Sequence, residues 1–98
     1  MNRTLMIIFV DTTHAVDIEH LLEECEVPGY SEIPTVLGKG ATGRKLGTRA
    51  FPGSSSVYLV AVDDTCRDPL VQRLEELRQH HGEAEGLKVF ALNTEEVL

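Results

Sequence analysis

Two uninterrupted apolar runs constrain this chain of 98 residues more than any other feature. They are Leu5-Met6-Ile7-Ile8-Phe9-Val10 and Val57-Tyr58-Leu59-Val60-Ala61-Val62, each six residues long. A strand sends successive side chains to opposite faces, so a run with no polar alternation predicts burial on both faces. Six residues are too few to cross a bilayer, and the first run meets Asp11 without the cleavage site of a secretory leader. The expectation is two central strands, Arg3 to Asp11 and Ser56 to Val62, in a cytoplasmic protein with no direct membrane insertion.

The segments between and after these strands carry different periods. From His14 to Glu26 the apolar residues Ala15, Ile18, Leu21, Leu22 and Cys25 recur at three- and four-residue spacing. Asp17, Glu19, Glu23 and Glu24 fill the other face, as in an amphipathic helix. Asp11, Thr12 or Thr13 suits its N-cap, and Pro28-Gly29 is the expected stop. Ser31 to Lys39 reads as a weaker strand. Asp68-Pro69 matches a cap followed by proline at the first helical position, opening a second helix on Leu70, Val71, Leu74 and Leu77. Gly82 ends that pattern, Leu87 to Leu92 forms a last short strand, and Asn93 to Glu96 is expected to be a polar tail.

The resulting order is βαββαβ in one domain spanning residues 1–98. Right-handed crossovers place the two apolar strands side by side, giving an α+β, ferredoxin-like sandwich with an antiparallel sheet and both helices on one face. Two helices cover only that face. The other face is then best covered by a second copy of the same sheet, so a homo-oligomer is expected. A monomer would instead have to tolerate exposure of residues such as Tyr58.

A net charge of −7 argues against sequence-independent nucleic-acid binding, which needs a basic surface. The charge is unevenly spread. Lys39, Arg44, Lys45 and Arg49 lie between Gly38 and Ser54 with no acidic residue among them, leaving five basic against 16 acidic residues elsewhere. The same segment holds five glycines and Pro52, and so reads as a loop joining two strands. Gly38 to Gly43 fits G-x-G-x-x-G, with Asp63 at the distance of a ribose-binding acid, but Gly47 and Pro52 deny the motif its helix. The fit to a P-loop fails as well, because Arg44 and Lys45 stand where lysine and a hydroxyl residue belong. What remains is an anion-binding chemistry: glycines let backbone N–H groups approach closely, while Arg44, Lys45 and Arg49 add charge.

Other chemistry is poorly supported. His14, His20, Cys25, Cys66, His80 and His81 are the soft ligands, and their spacing does not require convergence on a metal. His80 and His81 are adjacent, about 100° apart on a helix. Cys25 lies on an apolar helix stripe, and both cysteines suit reduced thiols. Ser54, Ser55 and Ser56 read as a turn into a strand, with no base beside them, so no enzyme is indicated.

Several segments, taken in order, resemble the PII signal-transduction family. They are Val27-Pro28-Gly29-Tyr30, Val36-Leu37-Gly38-Lys39-Gly40, the long loop, the Val57 to Asp64 strand, Gly86-Leu87-Lys88-Val89-Phe90 and Glu95-Glu96-Val97. Leu46 to Gly53 looks like a divergent, PII-like branch. The resemblance implies a homotrimer of ferredoxin-like domains, with ligand sites in the clefts between subunits and a loop that engages a membrane transporter or an enzyme. The implied ligand is a small anion, with an adenine nucleotide possible. Its contacts would come from Gly38, Lys39, Gly40, Arg44, Lys45, Gly47, Thr48, Arg49 and Lys88, the last corresponding to the family's nucleotide-binding lysine. The departures point away from nitrogen sensing. Thr42 stands near the place of the glutamine that assists magnesium and 2-oxoglutarate, the loop has no tyrosine to modify, and no arginine-bearing segment follows the last strand. An alternative resemblance is to the divalent-metal-responsive CutA trimers, or to PII-like proteins linked to metal efflux. Acylphosphatases share the fold class, but this chain lacks their arginine-bearing phosphate loop near the N-terminus.

Overall fold

The computed structural model describes residues 2–40, 43–45, 47, 53–80 and 86–98. The elements are β1 (Asn2–Asp11), a 3₁₀ turn (Thr12–His14), α1 (Ala15–Glu24), β2 (Ser31–Val36), β3 (Gly38–Gly40), β4 (Gly43–Lys45), β5 (Ser55–Val62), α2 (Asp64–His80) and β6 (Lys88–Glu95). Four strands form an antiparallel sheet in the order β2-β5-β1-β6, which puts the two apolar runs at its centre. This is the expected ferredoxin-like α+β arrangement. Met6, Ile8 and Val10 of β1 face the same side as Tyr58, Val60 and Val62 of β5, and there they pack with Ile18, Leu22 and Leu70 from the helices.

Neither central strand is buried on both faces within one chain. Burial along β1 alternates, with Thr4, Met6, Ile8 and Val10 buried and Leu5, Ile7 and Phe9 half-buried. The second set shares its side of the sheet with Leu59, Ala61, Phe90 and Leu92 by strand register. No helix among the described residues lies over that side, and Phe90 and Leu92 are 55% and 48% exposed. Phe9 and Phe90 meet edge to face there, with ring centroids 6.2 Å apart. Tyr58 is not part of this open face: it lies fully buried beneath the helices.

Several boundaries differ from those expected. Helix α1 ends at Glu24, before Pro28-Gly29, because Glu26 takes a left-handed conformation with φ 53°. The Glu26 N–H donates to Glu23 O at 3.0 Å and the Val27 N–H to Leu22 O at 3.4 Å, a Schellman closure in which Val27 packs on the core beside Leu22. Helix α2 starts at Asp64 rather than after Asp68, which leaves Pro69 inside it. Asp63 supplies the cap. Its Oδ1 accepts from the N–H groups of Thr65 and Cys66, both at 3.1 Å. The earlier start adds Cys66 to the stripe of Leu70, Leu74 and Leu77 that packs on the core, and this offsets the bond Pro69 cannot donate.

Two strands also change extent. β2 stops at Val36, with a register shift between Ile33 and Val36 around Pro34, a residue an edge strand tolerates. β6 runs on to Glu95, so Asn93 to Glu95 are strand rather than tail. They are held against β1 by the Thr94 hydroxyl donating to Arg3 O at 2.9 Å, and the Arg3–Glu96 ion pair at 2.6 Å continues the attachment. Gly82 and His81 lie outside the described residues.

Candidate ligand site at the loop root

The segment between β2 and β5 begins as paired structure rather than as a plain loop. β3 and β4 form a separate antiparallel ribbon in which Gly38 pairs with Lys45, Lys39 with Arg44 and Gly40 with Gly43. Glycine at three of these six positions leaves the ribbon's backbone open to approach, and nothing stands within 4 Å of a Cβ added at Gly38. A ribbon, not a helix, follows the glycine motif, so the dinucleotide reading fails structurally as well.

The loop is pinned where it returns to the sheet. Gly47 donates its N–H to Gly53 O at 3.0 Å, and both residues have positive φ, 67° and 94°, conformations that only glycine adopts without strain. Ser54 O then accepts from the Thr12 N–H at 3.1 Å, and the Ser54 and Thr12 hydroxyls share a hydrogen bond of 2.8 Å. Ser56 donates to Pro34 O at 2.8 Å, tying β5 to the bulge in β2. These hydroxyl contacts attach the loop root to the start of α1. The serines were readable only as a turn, because Thr12 lies more than forty residues away in sequence.

Of the sequence-derived site residues, Lys39 and Lys88 are exposed. Arg44 and Lys45 are placed by the register of β4, whereas Thr48 and Arg49, like Thr42, lie outside the described residues. Lys88 opens β6 opposite Phe9, near the end of β1 from which the Thr12 turn departs. The loop root and Lys88 therefore share one end of the sheet. The β2 end of the loop lies at the opposite edge from Lys88, three strand spacings or about 14 Å away, and its return into β5 lies two spacings away.

Two further residues that the sequence brings forward have structural roles. Asp63 caps α2, and its carboxyl is held below the usual carboxylate range by hydrogen bonds from the Thr65 hydroxyl first and the Cys66 N–H next. Cys25 packs at the margin of the core, where burial pushes its thiol upward. Among the described residues, no three His, Cys, Asp or Glu side chains converge as they would around a metal ion. No helix among them is long and apolar enough to cross a membrane.

No protein-family model matches the sequence, and no curated protein matches it. Solved structures do. CPII, a nitrogen regulatory PII-like protein from Thiomonas intermedia K12 bound to ADP, AMP and bicarbonate, superposes with a TM-score of 0.73 at 20% identity. The match covers 98% of this chain and 91% of that one. This chain has the PII-like fold. CPII bound to ADP and bicarbonate gives a TM-score of 0.72 at 21% identity, over 98% and 91% of the two chains. A candidate PII-like signalling protein from Thermus thermophilus gives 0.66 at 16% identity, over 96% and 86%. In this PII-like fold the glycine ribbon is the start of the long connection between the second and third strands of the sheet.

Proposed function

We propose that the chain is a PII-like regulatory protein of the cytoplasm, not an enzyme. In this reading it works as a homotrimer, binds a small anionic ligand in the clefts between subunits, and signals through the 38–54 loop to a membrane transporter or an enzyme. The observation that carries the reading is the division of the basic residues between two edges of one sheet end. Gly38, Gly40 and Gly47 lie on the segment that leaves the β2 edge, with Lys39, Arg44, Lys45, Thr48 and Arg49 on the same segment, while Lys88 stands at the β6 edge. The open apolar face supplies a reason for copies to associate, and in this reading the β6 edge of one copy lies beside the β2 edge of the next. The CPII structures of the same fold hold ADP, AMP and bicarbonate, which makes adenine nucleotides the first ligands to try.

Native mass spectrometry of the protein alone and with ADP, ATP or AMP tests this. The expected result is a trimer that gains up to three nucleotides, with binding lost when Arg44, Lys45 and Lys88 are all replaced by alanine. A monomer would overturn the assembly, and nucleotide binding that survives the triple substitution would overturn the site. Uptake of a divalent metal in place of nucleotide would instead favour a metal-responsive trimer.

A further inference from the structure

Helix α2 and strand β6 do not close on one another along their whole length. Between them lies a cavity of about 280 Å³, near the lower end of the range for small-molecule sites. Its floor is apolar. Met6 is fully buried there, Leu74 and Leu87 are almost so, and Val89 from the helix-facing side of β6 completes it. The charges at its rim come mainly from α2. Arg67 and Arg78, eleven residues and so about 16 Å apart along the helix axis, both line it. Two guanidinium groups beside one apolar floor are notable in a chain of net charge −7.

We propose that this cavity binds a medium-chain carboxylate, with the acyl chain along the α2–β6 seam and the head group on Arg78. The apolar floor selects the chain, because each buried methylene contributes about 0.8 kcal/mol. A guanidinium selects the head, since its planar fork matches a carboxylate. Arg78 is assigned that role because Arg67 is already ion-paired with Asp68 at 3.0 Å. Glu75 shares the rim and disfavours a doubly charged phosphate head, which leaves a monoanion as the better fit. The cavity is on the helix side of the sheet, so association through the opposite, open face leaves it accessible. It is also separate from the loop root, and the inference does not depend on nucleotide binding.

Isothermal titration of the intact chain with hexanoate, octanoate and decanoate, and with the corresponding alcohols, tests the proposal. One ligand per chain is expected, about fourfold tighter for each added methylene. Acids should outbind alcohols of equal length, and Arg78→Gln should erase that difference without changing the melting temperature. Ala91→Trp, which fills the cavity from β6, should abolish acid binding while leaving assembly and any nucleotide binding unchanged. Absence of saturable binding, affinity independent of chain length, or an acid preference that survives Arg78→Gln would each overturn the proposal. Arg78 is an exposed helix residue, so that variant remains decisive even if Ala91→Trp fails to fold.

Discussion

Glu26 and Tyr58 show how single residues set this fold's local geometry. At φ 53°, Glu26 occupies a conformation that costs a residue with a Cβ about 1 kcal/mol or more, yet it closes α1 through two hydrogen bonds. Glu26→Gly should therefore stabilise the protein by about 0.5–1 kcal/mol in urea denaturation, with no change in assembly. Tyr58 is buried under the helices with its hydroxyl donating to Glu32 Oε2 at 2.6 Å and 3.2 Å from Ala15 O, and Tyr30 stands edge-on at 5.8 Å. Burial, then the bond to Glu32, pushes the phenol far above its ordinary range. A folded value raised above the unfolded one gives stability that is complete below about pH 10 and is lost as pH rises beyond it. Tyr58→Phe should cost about 1 kcal/mol at neutral pH and should soften the alkaline fall in stability, both read from urea melts across pH 8 to 11.

At the scale of elements, the start of α2 is the most instructive case. Asp63 and Asp68 are equally good caps by residue type, and the following Pro69 favours Asp68. The fold uses Asp63 because the extra turn packs Cys66 against the core. The depressed Asp63 carboxyl contributes stability that is present at neutral pH and is lost as pH falls below the ordinary carboxylate range and through its lowered folded-state value. Asp63→Ala should lower the melting temperature by a few degrees at pH 7. Asp63→Asn should keep most of the cap while flattening the acid dependence, and an acid dependence that survives this substitution would refute the charge argument. The loop root follows the same logic. The glycines of Gly38 to Gly43 resemble several nucleotide motifs, but hairpin pairing with β4 commits them to a ribbon.

For the whole molecule, the governing fact is that two helices cover one face of a four-stranded sheet whose other face is also apolar. Leu5, Ile7, Phe9, Leu59, Phe90 and Leu92 form a contiguous apolar surface on that side. Association through it should be sensitive to charge. Phe90→Glu or Leu92→Glu should shift the assembly to folded monomers in native mass spectrometry, with far-UV circular dichroism unchanged. Retention of the wild-type mass would mean that this face does not mediate association. The uneven charge belongs to the same scale. The basic segment from Lys39 to Arg49 contrasts with an acidic remainder, so ligand binding at the loop root should weaken with added salt.

The order of strands and helices, the central place of the two apolar runs and the amphipathic stripes were legible in the sequence, because they depend on side-chain period and on short-range stereochemistry. So was the basic, glycine-rich character of the candidate site. Three things were not legible. The choice of Asp63 as cap depends on Cys66 reaching the core; the extension of β6 depends on Arg3 and Thr94, 91 residues apart, meeting across the sheet. The third is the placement of Lys88 and the start of the loop at one end of the sheet but at opposite edges, which depends on strand order. Local pattern decides which elements form. Only their packing decides which residues from distant parts of the chain face one another, since a contact across a sheet leaves no trace in the sequence on either side of it.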